Sequence, residues 1–194
     1  MPTVFVDVDT QLDFLYPAGA LYVPGAERIV PAVARLNRYA AANGIPVVST
    51  TDAHFEDDPE FAVWPHHCVA GALGQRKAEA TLLARRAVVP NRPGDLAISG
   101  AQQIVIEKQT VDVFAAPNLA RVLDQLAADR YVVYGVVTEV CVLYAVRGLA
   151  KLGKPVTVVT DAIEAFNQPQ GRQALEEACS LGAKLSSVAG ICGG

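Results

Sequence analysis

The feature that most constrains this fold is the alternation of short hydrophobic runs, rich in β-branched residues, with longer segments of helical periodicity. The hydrophobic runs predict six strands, at Thr3–Val8, Pro46–Thr50, Gln103–Glu107, Tyr131–Val136, Pro155–Thr160 and Ala183–Val188. The periodic segments predict helices over Ala26–Ala42, Gln75–Arg86, Pro117–Ala128, Cys141–Leu152 and Arg172–Leu181. Nearly continuous hydrophobic strands are typical of parallel sheets with both faces covered. We therefore predict an α/β fold: a three-layer α/β/α architecture with a six-stranded, mostly parallel sheet.

The length and composition favour one globular domain. A chain of 194 residues, without an internal repeat or linker, predicts a single domain over residues 1–194. Hydrophobic residues make up 52% of the chain, yet no run approaches the roughly 18 apolar residues that span a bilayer. The first ten residues, MPTVFVDVDT, lack the basic region of a signal peptide. We expect a cytoplasmic protein that does not associate with membranes.

Charge and cysteine usage narrow the possible partners. The net charge is −4, and the lysines and arginines are scattered instead of forming a basic stripe, so we expect no nucleic-acid partner. The four cysteines lack C-x-x-C spacing, which argues against a zinc knuckle or a redox dithiol. In a cytosolic chain they are predicted to be free thiols. We interpret Cys68, Cys179 and Cys192 as packing residues.

Ionisable residues follow the predicted strands. In an open α/β sheet, ligands bind beyond the carboxyl ends of the strands, where the strand order reverses. The strand ends carry Asp7, Asp9, Asp13, Asp52, His54, Glu107, Lys108, Glu139, Cys141 and Asp161. A single aspartate in such a place is most often a turn or helix-cap residue. A carboxylate, an ammonium and a thiol that meet in one crevice are the groups of nucleophilic catalysis.

Cys141 stands at a predicted strand-to-helix junction. A cysteine in that place can simply be a small core residue. All three histidines lie between residues 54 and 67, so we expect no histidine partner for the thiol. The amides of a helix N-terminus and the Lys108 ammonium would lower the thiol pKa from its ordinary value of about 8.5. Asp9, in a cleft of low dielectric constant, would then accept the thiol proton as a general base.

The histidines predict a metal site. Asp52-x-His54, with His67 thirteen residues later, supplies one oxygen and two nitrogens, a ligand set suited to a catalytic transition metal with open positions. The D-x-H pattern also occurs by chance, and His66 or His67 can serve only in capping or packing. The expected cofactor is a divalent ion, with zinc favoured over iron or manganese.

Five ordered motifs carry a family resemblance, namely DVDTQLDF, TTDAH, WPHHCVAG, IEKQTVDVF and GVVTEVCV. They resemble those of the isochorismatase-like cysteine hydrolases, and they extend from the first predicted strand to the fifth. The resemblance implies the isochorismatase-like hydrolase fold and a catalytic triad of Asp9, Lys108 and Cys141. It also implies a cis peptide at Val136–Val137, which would free backbone amides for an oxyanion hole. Members of the family are often dimers or larger, so we expect a homo-oligomer.

Within that family, the D-x-H motif resembles the metal site of nicotinamidases. The resemblance implies that Asp52, His54 and His67 bind the metal and that Glu60 is a candidate fourth ligand. It also implies that Phe14 and Trp64 hold the substrate ring. Without the resemblance, the single tryptophan of the chain would be interpreted as a core anchor.

Three segments depart from the family pattern. Pro17–Leu21 reads PAGAL instead of PGGAL, Val137 and Val140 replace a smaller and an aromatic residue, and Gly74–Gly100 matches no nicotinamidase motif. The predicted function is hydrolysis of nicotinamide, or a close small amide, through a thioester on Cys141. One alternative is a hydrolase of the same fold acting on a different small amide. The other is a non-catalytic metal-binding regulator, which is disfavoured because all three triad residues are present.

Overall fold

The computed structural model describes residues 2–193 and contains one parallel sheet. Its strands are β1 (Thr3–Val8), β2 (Val47–Asp52), β3 (Arg86–Val89), β4 (Gln103–Lys108), β5 (Arg130–Val136), β6 (Val156–Glu164) and β7 (Lys184–Ser186). They run in the order β3-β4-β2-β1-β5-β6-β7, and every pairing is parallel. The predicted α/β class is confirmed, but the sheet has seven strands where six were predicted, because β3 adds a short, partly exposed edge strand.

Helices cover both faces of the sheet. They are α1 (Leu12–Leu15), α2 (Val30–Ala42), α3 (Leu119–Leu126), α4 (Leu143–Lys151), α5 (Gln168–Ser180) and α6 (Val188–Cys192). Val6 and its neighbours at alternate positions of β1 pack in a core with α3, α4 and α5, whereas Phe5 belongs to the core beneath α2 and α6. This alternation follows from the two-residue period of strand side chains. No helix among residues 2–193 is long and apolar enough to cross a membrane.

The predicted helix over Gln75–Arg86 is wrong. The carbonyl groups of Gly74 and Arg76 accept hydrogen bonds from the backbone of Asp13 and Leu12, so this segment pairs with the residues that follow β1. Only a short 3₁₀ turn forms, at Glu79–Thr81. Helix-forming composition is a weak preference that tertiary contacts override.

Two helices begin four residues away from their predicted first residues, for local chemical reasons. The segment from Ala26 starts as a 3₁₀ turn, and α2 begins at Val30 with a proline in its first turn, where the missing N–H costs least. Helix α5 begins four residues earlier than expected because the Asn167 side chain accepts the N–H of Gln170 and caps it.

The strand order reverses beside β1. The chain builds β2, β3 and β4 on one side of β1 and then crosses over to place β5 on the other. Gly135 of β5 lies opposite Val8, and a Cβ atom there would stand 2.1 Å from the Val8 carbonyl oxygen. Only glycine permits this approach, which brings the loops after β1 and β5 together at the expected ligand-binding edge. The prediction of one domain over 1–194 includes Met1 and Gly194, which lie outside the described residues.

Candidate active site

Asp9, Lys108 and Cys141 converge at this edge of the sheet. The Lys108 ammonium Nζ lies 2.9 Å from Oδ2 of Asp9 and 3.8 Å from Sγ of Cys141. Asp9 follows β1 in a left-handed conformation (φ 47°), and its Oδ1 accepts a hydrogen bond from the Thr50 hydroxyl at 2.5 Å. All four side chains are buried. The structure thus brings a carboxylate, an ammonium and a thiol into one dry cluster.

Two carboxylates compete for the single Lys108 cation. Lys108 also contacts Oδ1 of Asp52. Burial raises the pKa of Asp52, but the Lys108 charge and the adjacent histidines outweigh it and hold that pKa well below its ordinary value. Burial raises the pKa of Asp9, Lys108 lowers it, and the neighbouring Asp52 charge leaves it raised. Environments that shift the pKa values of two carboxyl groups in opposite directions give the two groups different roles. Of this pair, Asp9 is the one suited to accept a proton near neutrality.

The Lys108 ammonium remains protonated in this cluster. Burial alone would lower its pKa, but the charges of Asp52 and Asp9 raise that pKa well above its ordinary value. A permanently charged lysine offers a fixed positive field to any anion that forms on the neighbouring sulfur.

Cys141 lies in a π-helical turn, Thr138–Val142, that leads from β5 into α4. The sequence predicted a lowered thiol pKa, and the structure corrects this. Burial raises the pKa of Cys141 well above its ordinary value, Lys108 lowers it only in part, and the carboxylates of Asp9 and Asp52 raise it again. The resting group is therefore a thiol, and it would have to lose its proton to act as a nucleophile. The peptide bond between Val136 and Val137, just before this turn, is cis.

Asp52, His54 and His67 form one buried group whose candidate ligand atoms all lie within 4.8 Å of one another. Oδ2 of Asp52 is 3.8 Å from Nε2 of His54 and 3.7 Å from Nε2 of His67. One ion with bonds of about 2.1 Å can reach both atoms of each pair. Nε2 of His54 is buried and has no hydrogen-bond partner among the described residues, a vacancy that a metal ion would fill. The residues therefore fit a divalent transition metal.

The Nδ1 atom of both His54 and His67 has a hydrogen-bond partner. Nδ1 of His54 lies 3.0 Å from Oδ2 of Asp58, and Nδ1 of His67 lies 2.7 Å from the Pro65 carbonyl oxygen. Burial lowers the pKa of His54, but the Asp52 and Asp58 carboxylates outweigh it and leave the pKa raised. A proton and a metal ion would therefore compete for this ring.

We call Asp52, His54 and His67 the metal-type cluster. Cys141 lines one cavity together with two of these residues, Asp52 and His67. Its polar lining comes from Asp52, Glu60, His67 and Cys141. Burial, followed by the charge of Asp52, raises the pKa of Glu60. Glu60 reaches the cavity, but it is not among the three residues whose ligand atoms cluster. Its role as a fourth ligand stays a prediction.

The remaining walls are apolar. They comprise Phe14, Leu21, Trp64, Val111, Val137, Val140 and Phe166. Phe14 and Trp64, the two residues expected to hold a ring, both lie in this wall. The Trp64 ring stacks on Phe166 with centroids 5.9 Å apart. The sequence reasoning missed Phe166 because β6 was predicted to end at Thr160, whereas it continues to Glu164 and delivers Phe166 to the cavity edge.

Other strand-end acids serve the fold. Asp13 accepts the N–H groups of Ala20 and Cys68 and so ties together loops that flank the cavity. Asp7 points to the opposite face of the sheet, where Oδ2 lies 3.2 Å from Nζ of Lys77. Asp161 caps α6 by accepting the Val188 N–H. The sequence could not separate these acids from Asp9.

The fold and this site place the chain among the doubly wound α/β proteins that carry a polar site at the switch point of the sheet. The Isochorismatase domain model matches residues 3–190, and the chain belongs to the isochorismatase family. The resemblance seen in the sequence motifs is thereby confirmed.

Named relatives share this fold over nearly their whole length. Nicotinamidase from Escherichia coli (strain K12) is 27% identical, over 97% of this chain and 96% of its own. The zinc complex of pyrazinamidase from Pyrococcus horikoshii superposes with a TM-score of 0.81 at 27% identity, covering 96% of this chain and 99% of that one. N-carbamoylsarcosine amidase from Thermoplasma acidophilum gives 0.79 at 25% identity, covering 97% of each chain.

Proposed function

We propose that this protein is a metal-containing amidohydrolase that converts nicotinamide, or a close single-ring aromatic amide, to the acid and ammonia. One observation carries the proposal: Cys141 and the Asp52–His67 part of the metal-type cluster line the same small cavity. A thiol and a Lewis-acid site that face one bound molecule can act on it at two points. The nicotinamidase and pyrazinamidase relatives, one of them bound to zinc, support the same activity.

The proposed chemistry begins with proton transfer. Asp9 accepts the proton of the Cys141 thiol as the sulfur attacks the amide carbon, and the oxyanion is held by backbone amides around Val137 and Cys141. Lys108 stabilises the sulfur anion and holds Asp9 in place. Protonated Asp9 then gives its proton to the departing nitrogen, so that the C–N bond breaks, ammonia leaves and a thioester remains.

The second half of the reaction uses the same base. Asp9 takes a proton from a water molecule, the resulting hydroxide attacks the thioester carbon, and the acid is released as the C–S bond breaks and Cys141 regains its proton. Asp52, His54 and His67 would hold the metal. When bound, it supplies a Lewis-acid position for the ring nitrogen of the substrate.

The cavity favours a small neutral ring. Aromatic and aliphatic side chains form most of its wall, as is common in sites that bind apolar rings. The described lining residues include the carboxylates of Asp52 and Glu60 but neither lysine nor arginine. An amide that carries its own carboxylate, such as a carbamoyl amino acid, would meet like charge there.

Ammonia release from nicotinamide tests the proposal. Metal-replete wild type should turn over, Cys141→Ala should lose turnover, and treatment with a chelator should weaken it. Cys179→Ala, which removes an exposed thiol, is the matched control and should retain full activity. If the metal-replete protein releases no ammonia from nicotinamide but does so from another neutral amide, the ring assignment is wrong and the thioester chemistry stands. If it acts on none of a panel of small amides, the proposed function fails.

A further inference from the structure

His54 is supported by a carboxylate that belongs to none of the sequence motifs. Asp58 lies four residues after His54, and its Oδ2 atom is 3.0 Å from Nδ1 of the ring. Both side chains are buried, at 0% exposure for His54 and 6% for Asp58. In a dry site this hydrogen bond is shielded from competition by water.

The position of Asp58 determines which nitrogen of His54 is free. A carboxylate that accepts a hydrogen bond from Nδ1 would place the hydrogen of the neutral ring on Nδ1 and the lone pair on Nε2. Nε2 is buried and has no hydrogen-bond partner among residues 2–193, and it lies 3.8 Å from Oδ2 of Asp52. The ring is therefore oriented with its ligating nitrogen toward the metal-type cluster.

We propose that Asp58 is the positioning residue of the metal site, which orients His54 and sets its tautomer for metal binding. This inference depends on the metal site of the proposed function. The partner histidine does not need such a residue, because Nδ1 of His67 lies 2.7 Å from a backbone oxygen, that of Pro65. Histidine ligands commonly donate their second N–H to a carboxylate or carbonyl, and loss of that partner typically lowers metal affinity about 10–100-fold.

Asp58 also organises the cavity side of the same loop. Its Oδ1 accepts the backbone N–H of Glu60 at 2.9 Å and caps the 3₁₀ turn Pro59–Ala62. One carboxylate thus joins a candidate metal ligand to a residue that lines the cavity. The cap alone would be a purely structural role, so the test has to separate the cap from the contact with His54.

Two substitutions make that separation. Asp58→Ser keeps an oxygen that can cap the turn but is too short to reach the ring of His54. Asp58→Asn keeps a neutral acceptor in both places. Asp57→Ser removes the same charge from the exposed neighbouring residue and is the matched control.

Zinc affinity is the readout, measured on the full chain by competition with a chromophoric chelator and independently of turnover. Asp58→Ser should bind zinc about 10–100-fold more weakly than wild type, Asp58→Asn should lose less, and Asp57→Ser should be unchanged. Long-range ¹H–¹⁵N spectra of the three histidines should assign the hydrogen of His54 to Nδ1 in zinc-loaded wild type. The thermal midpoint of unfolding of each metal-free variant reports what the substituted residue contributes to the stability of the fold.

Three results overturn the inference, and they do so in different ways. If Asp58→Ser, which keeps the cap but loses the contact with His54, binds zinc as tightly as wild type, Asp58 is only a cap and the metal site survives. If His54 carries its hydrogen on Nε2 in the zinc-loaded protein, the tautomer assignment is wrong. If wild type binds zinc no better than His54→Ala, the proposed metal site is wrong, and the proposed role of Asp58 is wrong as well. Failure to hydrolyse nicotinamide would bear only on the proposed reaction.

Discussion

The side-chain amide of Gln11 contacts both polar backbone atoms of Asp52. Its Oε1 atom accepts the Asp52 N–H at 2.7 Å, and its Nε2 atom donates to the Asp52 carbonyl oxygen at 2.9 Å. Nε2 donates as well to the Gln75 carbonyl oxygen at 2.7 Å. Gln11 is fully buried and thus fixes the backbone of Asp52.

Replacement of Gln11 by alanine should destabilise the fold. Buried backbone groups of Asp52 would lose their partner, and an unsatisfied buried group costs about 1–3 kcal/mol. We expect the free energy of unfolding, measured with urea, to fall by at least that amount. Gln125→Ala, on the exposed face of α3, is the matched control and should change stability little. Equal effects of the two substitutions would contradict the assignment.

Asp9→Asn should inactivate the protein without unfolding it. Asparagine preserves the size of the side chain but cannot accept the thiol proton, and a positioned general base typically contributes about 10²–10⁴-fold. Lys108 keeps Asp52 as a partner, so the buried cation remains paired. The measurement is kcat for ammonia release, with circular dichroism as the check on folding. Asp161→Asn, remote from the cavity, should be fully active; an equally active Asp9→Asn would remove Asp9 from the mechanism.

The rate should depend on pH through Asp9. Burial, reinforced by the Asp52 charge, raises the pKa of Asp9 in spite of Lys108. The base works only when ionised, so kcat/KM should fall as the pH drops through that raised pKa, at a pH above the ordinary aspartate value of about 3.9. Zinc content measured at each pH separates this acidic limb from loss of metal. A profile that stays level down to pH 4 in metal-loaded protein would contradict the raised pKa.

Trp64→Ala should weaken substrate binding more than turnover. The ring forms one wall of the cavity and stacks on Phe166, and an aromatic contact contributes about 0.5–1.5 kcal/mol beyond its buried area. We expect KM for a nicotinamide-type substrate to rise about two- to tenfold, with a smaller change in kcat. Phe55→Ala alters an exposed aromatic residue in the same loop region and should leave both constants unchanged. A change confined to kcat would remove Trp64 from substrate binding.

Sequence reasoning succeeded where a strand end fixes a residue in space. Asp9, Lys108 and Cys141 each follow or end a strand with strong hydrophobic patterning, so the geometry of a parallel sheet brings them together. It failed over 75–86, where alanine, lysine and glutamate favour a helix but the backbone pairs instead with the segment after β1. That pairing joins residues more than sixty positions apart, and no local pattern encodes it.

The support of His54 was beyond prediction for a different reason. Glu56, Asp57 and Asp58 are consecutive acids, and any of them satisfies a search for a carboxylate near the D-x-H motif. Only the path of the loop determines that the first two face outward and that Asp58 turns in toward the ring. A residue that supports a metal ligand, without binding the metal itself, does not follow the ligand spacing that makes a motif recognisable in the sequence.

The contact of Lys108 with both Asp9 and Asp52 limits how this enzyme can diverge. Asp52 belongs to the metal-type cluster, yet it also contacts the lysine that is paired with Asp9. Replacement of His54 and His67 would leave both ion pairs of Lys108 intact. Loss of Asp52 would leave Asp9 as the one carboxylate paired with Lys108 among the described residues, and it would remove a charge that raises the pKa of Asp9. Selection for metal-independent amide hydrolysis should therefore replace the two histidines long before it replaces Asp52.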